Sequence, residues 1–98
     1  MYLVREVFQA KPGKAKELVK KFKQGSEHSE KQGMKGYRIM TDIATRYWTV
    51  VAEFEVEDLN EFAKEARGGG KPDPEMEKIM TGYHELIDGG YREIFLIE

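Results

Sequence analysis

The ten residues from Tyr47 to Val56, YWTVVAEFEV, form the clearest strand pattern in the chain. Every second residue from the tryptophan onward is apolar: Trp48, Val50, Ala52, Phe54 and Val56. The positions between them mix Tyr, Thr and Val with two glutamates. Because successive side chains of a strand point to opposite faces, this pattern predicts one dry face and one partly wet face. We interpret the stretch as a central strand that the rest of the chain covers or extends.

Length and composition limit what the chain can do. Its 98 residues suffice for one domain, spanning 1–98, with a modest core. A net charge of −2 argues against nucleic acid as a partner, because such surfaces are normally basic. The absence of cysteine excludes disulfides and thiolate metal sites. No apolar run approaches the roughly 20 residues of a membrane span, and no signal peptide is evident, so we expect a cytoplasmic protein without a membrane partner.

The remaining segments alternate between strand and helix patterns. Further strands are predicted at 2–10, 37–43 and 91–97, and a first helix at 14–31. A second helical region begins at Asp58, breaks at the glycines Gly68–Gly70, and restarts at Asp73. We expect the restarted helix to continue to Gly89, with this set facing the core: Met76, Ile79, Met80, Tyr83, Leu86 and Ile87.

The order of these elements is β-α-β-β-α-β. Short connections and right-handed crossovers then predict a ferredoxin-like α+β fold, a four-stranded antiparallel sheet with its helices on one face. The short link at 44–46 predicts a hairpin between the second and third strands.

The second face of this sheet is expected to be buried against another copy of the chain. Several strands carry apolar residues on both parities, whereas a sheet facing water should alternate cleanly. A two-fold interface would bring the same patch against itself. Charged side chains in the middle of the strands could then pair across it: Arg5, Glu6, Arg38, Glu53, Arg92 and Glu93. The alternatives are a monomer with a wet sheet face, or arginines that bind an acidic ligand.

Two segments resemble proteins of the dimeric α+β barrel superfamily. The first is VREVF at 4–8, followed by KPGK at 11–14 and a helix that reaches Phe22; the second is VAEFE at 51–55, followed by an acid-capped helix. This superfamily includes the antibiotic biosynthesis monooxygenase-like and NIPSNAP-like families. The resemblance implies a homodimer whose sheets form a barrel, and a pocket between sheet and helices. Some members are cofactor-free oxygenases of aromatic polyketides, and some degrade haem.

The chain also departs from the active members of these families. Oxygenase-like members often have Trp at the end of the third strand, where this chain has Phe54. The His common in the following helix is absent from 63–67, and the first strand lacks the Asn of haem degraders. We therefore expect neither haem chemistry nor any other cofactor.

His84 is the candidate proton acceptor, because a neutral imidazole can act as base or acid near pH 7. We expect a pocket for an aromatic or apolar ligand, lined by Trp48, Phe54, Phe22, Tyr83 and the Ser26 hydroxyl. The plain alternative is a histidine that packs at the edge of the helix stripe. His28 is expected to point to solvent, and with the two histidines on different helices no metal site is predicted.

Two further segments have an open interpretation. The small residues Gly25, Ser26 and Ser29 mark either the opening of a pocket or close packing of the first helix. The Gly68–Gly70 loop is either a plain linker or a flap that attracts an anion through Arg67 and Lys71. It is not a phosphate loop, because Pro72 stands where Ser or Thr is required.

The candidate residues are compatible with two functions. The first is a cofactor-independent monooxygenase that deprotonates an acidic aromatic metabolite through His84, so that the carbanion reacts with oxygen. The second is a non-catalytic ligand-binding or assembly module with the same fold.

Overall fold

A four-stranded antiparallel sheet, covered by helices on one face, organises the computed structural model, which describes residues 1–98. The strands are β1 (Tyr2–Ala10), β2 (Lys35–Thr41), β3 (Thr49–Val56) and β4 (Ile87–Leu96). The helices are α1 (Ala15–Lys31), α2 (Leu59–Ala66), α3 (Pro74–Met80) and a short 3-10 helix (Tyr83–Leu86). The strand order is β2-β3-β1-β4, with β2 and β3 joined as an antiparallel hairpin. The predicted ferredoxin-like fold is confirmed.

The core lies between the sheet and the helices, on the parity that the β3 pattern predicted. Val50, Ala52 and Val56 are buried, and Val50 is paired with Phe8 of β1. The α1 stripe supplies Leu18 and Phe22, and the central cluster is completed by Ala10 and Leu86. Trp48 is an exception. It lies one residue before the start of β3, and it is 42% exposed instead of buried.

The helix starts predicted at Asp58 and Asp73 are both present, and an aspartate side chain caps each helix. The Asp58 carboxylate accepts hydrogen bonds from the backbone amides of Asn60 and Glu61, at 2.9 and 3.2 Å. The Asp73 carboxylate accepts from the Met76 amide at 3.1 Å, with Pro74 as the first helical residue. Each cap satisfies first-turn amides that have no partner inside the helix.

The prediction that the last helix continues to Gly89 is wrong. α3 ends at Met80, and Gly82 adopts a left-handed backbone conformation with φ 81°. The chain then makes the 3-10 turn and enters β4 at Ile87, so Gly89 and Gly90 lie within the strand instead of ending a helix. Gly90 is required there because a Cβ would lie 2.6 Å from the Val7 carbonyl oxygen on β1.

His28 does not point to solvent, as the sequence suggested. Its side chain is 12% exposed and its Nε2 lies 2.9 and 3.0 Å from the two carboxylate oxygens of Asp73. Its Nδ1 lies 3.4 Å from Glu75. Helix α3 packs along α1 at Gly25, where a Cβ would be 3.4 Å from the Met76 sulfur, and this brings the start of α3 onto His28. The open interpretation of Gly25 is thereby settled in favour of close helix packing.

The uncovered face of the sheet carries four of the six charged residues assigned to it. Glu53 is buried there, with Arg5 Nε 3.2 Å away and Arg38 also paired to it. Arg5 also lies 3.9 Å from Glu93. The assignment of Glu6 and Arg92 to this face is wrong, because Glu6 shares the parity of Val4 and Phe8, which faces the helices.

None of the helices is long and apolar enough to cross a lipid bilayer.

Candidate functional site

An ion pair interrupts the apolar surface that the sheet presents to the helices. Glu6 in the middle of β1 is directly opposite Arg92 of β4, and the Arg92 Nε donates to the Glu6 carboxylate. The Glu6 side chain is largely buried, between Val4 and Phe8 on the same face. The Glu6 carboxylate is largely withdrawn from water, whereas the Arg92 side chain is 43% exposed, and a pair of this kind contributes little to stability. We therefore regard it as a candidate for function.

Three aromatic rings stand beside this pair. Tyr37 of β2 stacks on Phe54 of β3, with ring centroids 4.9 Å apart and planes inclined by 29°. Phe62 of α2 lies 5.7 Å from Phe54, and the Arg92 guanidinium carbon is 5.0 Å from the Phe62 centroid, at cation–π distance. We call Glu6, Tyr37, Phe54, Phe62 and Arg92 the Glu6–Arg92 cluster. Its three aromatic side chains are partly exposed.

The Tyr37 phenol is electrostatically distinct within the cluster. Burial raises its pKa above the usual value, and a hydrogen bond with Ser29 of α1 acts in the opposite direction. The carboxylates of Glu30, Glu65 and Glu6 each raise it further. The phenol is therefore neutral near pH 7 and keeps its proton for hydrogen bonding.

These groups can hold a flat ring with a polar edge. Phe54 and Phe62 are aromatic side chains beside which a flat ring could pack. Arg92 supplies charged donors, Glu6 an acceptor for a hydrogen bond or a proton, and Tyr37 a neutral hydroxyl. No group of three or more His, Cys, Asp or Glu side chains is arranged to hold a metal ion.

The structure distributes the predicted site residues among separate places. Phe54 belongs to the Glu6–Arg92 cluster, whereas Phe22 and Tyr83 pack with Phe8 in the adjoining core, at centroid distances of 5.0 to 6.4 Å. His84 is exposed on the 3-10 helix, its ring 4.0 Å from that of Tyr83.

The remaining two predicted residues lie elsewhere. The Ser26 hydroxyl donates to the Lys23 carbonyl within α1, while its neighbour Ser29 is the buried serine that meets Tyr37. Trp48 lines a hollow between α1 and the β2–β3 hairpin. The binding roles assigned to these residues, and His84 as a proton acceptor, stay predictions.

Four members of the cluster were not assigned to this site from the sequence: Tyr37 and Phe62 were not singled out, and Glu6 and Arg92 were placed among the charges of the uncovered sheet face. A signal for two of them was present. Glu6 interrupts the apolar parity of β1, and Arg92 shares the parity of Ile94 and Leu96 in β4. Two opposite charges that each break an apolar face, on strands that neighbour in this fold, indicate a cross-strand pair.

Comparison with known proteins identifies the fold across the whole chain. No protein-family model matches, and no curated protein is significantly similar. Among solved structures, a NIPSNAP domain protein from Burkholderia xenovorans aligns with a TM-score of 0.78 at 14% identity, covering 100% of this chain and 95% of that one. The chain has the fold of the NIPSNAP and antibiotic biosynthesis monooxygenase-like proteins.

Two further structures agree. A NIPSNAP family protein from Agrobacterium tumefaciens gives a TM-score of 0.74 at 19% identity, covering 100% of this chain and 94% of that one. A candidate antibiotic biosynthesis monooxygenase from Nitrosomonas europaea gives 0.75 at 11% identity, covering 99% and 98%. The resemblance seen in the sequence is thus confirmed for the fold.

Proposed function

We propose that the protein binds a small aromatic metabolite at the Glu6–Arg92 cluster. The observation that carries this proposal is an ion pair on the helix-covered face of the sheet, placed beside three aromatic rings. Arg92 lies on an edge strand with its side chain 43% exposed, so a ligand with a flat ring and a polar substituent could reach its guanidinium. The chain shares its fold with a candidate antibiotic biosynthesis monooxygenase, and an aromatic ligand is what the resemblance noted in the sequence implies.

Oxygenation of the bound molecule without a cofactor is the second candidate, favoured by the largely buried carboxylate of Glu6. Glu6 would take a proton from an activated CH₂ of an anthrone-type substrate, while Tyr37 donates a hydrogen bond to its carbonyl oxygen. The carbanion then transfers electrons to O₂. One oxygen atom becomes the new C=O and the other leaves as water, R₂CH₂ + O₂ → R₂C=O + H₂O, so no external reductant is needed.

Binding is tested by titrating the protein with an anthrone-type or hydroquinone compound and following backbone amide NMR shifts. The decisive variant is Arg92→Gln, and its matched control is Arg38→Gln, which removes a guanidinium paired to a glutamate on the opposite face. A hydrogen bond to a charged group contributes about 1.5–3 kcal/mol, so Arg92→Gln should weaken binding about tenfold or more. Arg38→Gln should not change it. Equal affinities in both variants would contradict the proposed site.

Oxygenation is tested by oxygen uptake with the same compounds. Glu6→Gln should abolish uptake if Glu6 is the proton acceptor, whereas His84→Ala should abolish it if the histidine predicted from the sequence has that role. Binding without uptake in the unmodified protein would contradict oxygenation and leave the binding function in place.

We further propose that two copies pair through the uncovered faces of their sheets. Support comes from β4, where Tyr91 is 61% and Phe95 48% exposed on that face. Exposed aromatic side chains beside a paired and largely neutralised charge network suit a self-complementary two-fold contact.

A further inference from the structure

A hollow of about 760 Å³ lies between the start of α1 and the β2–β3 hairpin, away from the Glu6–Arg92 cluster. Ala15 and Val19 of α1 form an apolar wall, and the side facing them carries Tyr47 and Trp48. Lys16 is the one cation in the lining. Hollows of this size, mainly apolar with a few polar groups, are typical of small-molecule sites. We call this the Trp48 hollow.

Trp48 is held at the hollow in an unusual backbone conformation. Its φ is 64°, in the left-handed region, which raises the energy of a bulky residue by about 1–3 kcal/mol. Hydrogen bonds on both sides fix it there: the Ala10 amide donates to the Trp48 carbonyl at 2.9 Å, and the Thr49 amide donates to the Asp42 carboxylate at 3.0 Å. Strain maintained in this way concentrates at ligand sites. The result is a half-exposed indole on a rigid support.

One charged donor in the hollow is free to bind an anion. Lys16 makes no ion pair, whereas the Asp42 carboxylate, also in the lining, already accepts from Thr49. The segment 11–23, which includes the first half of α1, carries six lysines and one glutamate. Lys16 is the member of this group that lines the hollow, so its ammonium is available there to bind a carboxylate.

We propose that the Trp48 hollow binds an aromatic carboxylate, with the ring against Trp48 and the carboxylate at the Lys16 ammonium. This second site is independent of the Glu6–Arg92 cluster. The ring gains from stacking on an indole that needs no reordering, and the carboxylate gains a charged hydrogen bond.

The test uses the single tryptophan of the chain, whose indole N–H gives one signal in a ¹H–¹⁵N spectrum. The probe is 1-naphthylacetate, and the matched probe is 1-naphthylmethylamine, which has the same ring and the opposite charge. We expect the indole signal to move saturably with the carboxylate, and the amine to bind at least tenfold more weakly. A motionless indole signal, or tighter binding of the amine, would overturn the proposal.

Two variants complete the design. Lys16→Glu should weaken naphthylacetate binding at least tenfold, whereas Lys20→Glu, the same charge change one turn further along α1 and outside the lining, should have little effect. Both positions are exposed, and unchanged amide spectra elsewhere verify the fold. Equal losses in the two variants would show a diffuse charge effect and overturn the assignment of Lys16. Arg92→Gln should leave this binding unchanged, so failure here is distinguishable from failure of the proposed function.

Discussion

At the scale of single residues, the glycine pair in β4 shows how closely the strands approach. A Cβ on Gly90 would lie 2.6 Å from the Val7 carbonyl oxygen and 3.1 Å from the Phe8 ring, whereas one on Gly89 would meet nothing within 4 Å. We expect Gly90→Ala to lower the free energy of unfolding by about 1–3 kcal/mol, as overpacking does. Gly89→Ala should be neutral or slightly stabilising. Urea unfolding of the two variants measures the difference, and equal stabilities would contradict it.

The backbone of Trp48 gives a second prediction, in which the usual order of Ala and Gly is reversed. Inside a helix or strand, a Gly residue makes the folded protein less stable than an Ala residue does, by about 0.5–1 kcal/mol. At a φ of 64°, however, a Cβ is unfavourable by about 1–2 kcal/mol. Trp48→Gly should therefore unfold at higher urea concentration than Trp48→Ala, although both lose the indole. If Trp48→Ala is the more stable variant, the left-handed conformation is not retained.

The pairing of individual side chains was the part that sequence patterns described least well. Glu6 shares the parity of Val4 and Phe8, yet we assigned it with Arg92 to the uncovered face, because the parity of one strand does not show which face the helices cover. His28 was assigned to solvent because, in a helical-wheel projection of α1, it lies away from the apolar stripe. That wheel takes no account of α3, whose Asp73 and Glu75 surround the imidazole. Contacts between distant segments depend on register, which a single helix or strand does not contain.

At the scale of elements, one carboxylate connects the start of α3 to α1. Asp73 caps α3 through the Met76 amide, and it also hydrogen-bonds His28 and Gln32 on α1. The hydrogen bond from Met76, followed by that from His28, lowers the pKa of Asp73 below its ordinary value of 3.8. One side chain thereby caps α3 and adds polar contacts to the packing of α3 on α1 at Gly25.

This lowered pKa predicts how stability changes with pH. A carboxyl whose pKa is lower in the folded state adds stability above its unfolded pKa, and that stability is lost as the pH falls through the folded value. Asn caps helices as well as Asp does, so Asp73→Asn removes mainly the charge. The variant should be less stable than the wild type at about pH 7, and the deficit should shrink as the pH falls below the ordinary 3.8.

Urea unfolding across this pH range measures the deficit. Glu77→Gln, on the exposed side of the same first turn, should show no comparable change. A deficit for Asp73→Asn that is the same at about pH 7 and about pH 3 would contradict the assignment.

The end of α3 was missed for a reason that lies in the periodicity itself. Met80, Tyr83 and Leu86 face the core at helical spacing, and they still do so when a 3-10 turn and a strand replace the helix. The spacing of apolar residues alone does not distinguish a continuing helix from a 3-10 turn followed by a strand. The local signals were Thr81, whose hydroxyl donates to the Glu77 carbonyl, and Gly82, whose left-handed φ ends the helix.

At the scale of the whole molecule, the order of elements was predictable while the site was not. Six segments with distinct periods, joined by short links, allow few arrangements, and the sheet follows from them. The Glu6–Arg92 cluster instead gathers residues from β1, β2, β3, α2 and β4, which lie as far apart as positions 6 and 92. Its composition is a property of the assembled sheet and of the position of α2 above it.

The uncovered sheet face gives the last prediction. Tyr91, Phe95 and their neighbours expose apolar area that a second copy would cover, and a charge placed there would remain without a partner in such an interface. Light scattering should give twice the 11.3 kDa of one chain for the wild type and a smaller average mass for Phe95→Glu. The matched control is Ile43→Glu in the β2–β3 loop, where the side chain is 100% exposed, and it should keep the wild-type mass. A wild-type mass of one chain at micromolar concentration would contradict the dimer, because the exposed rings of β4 would then face water permanently.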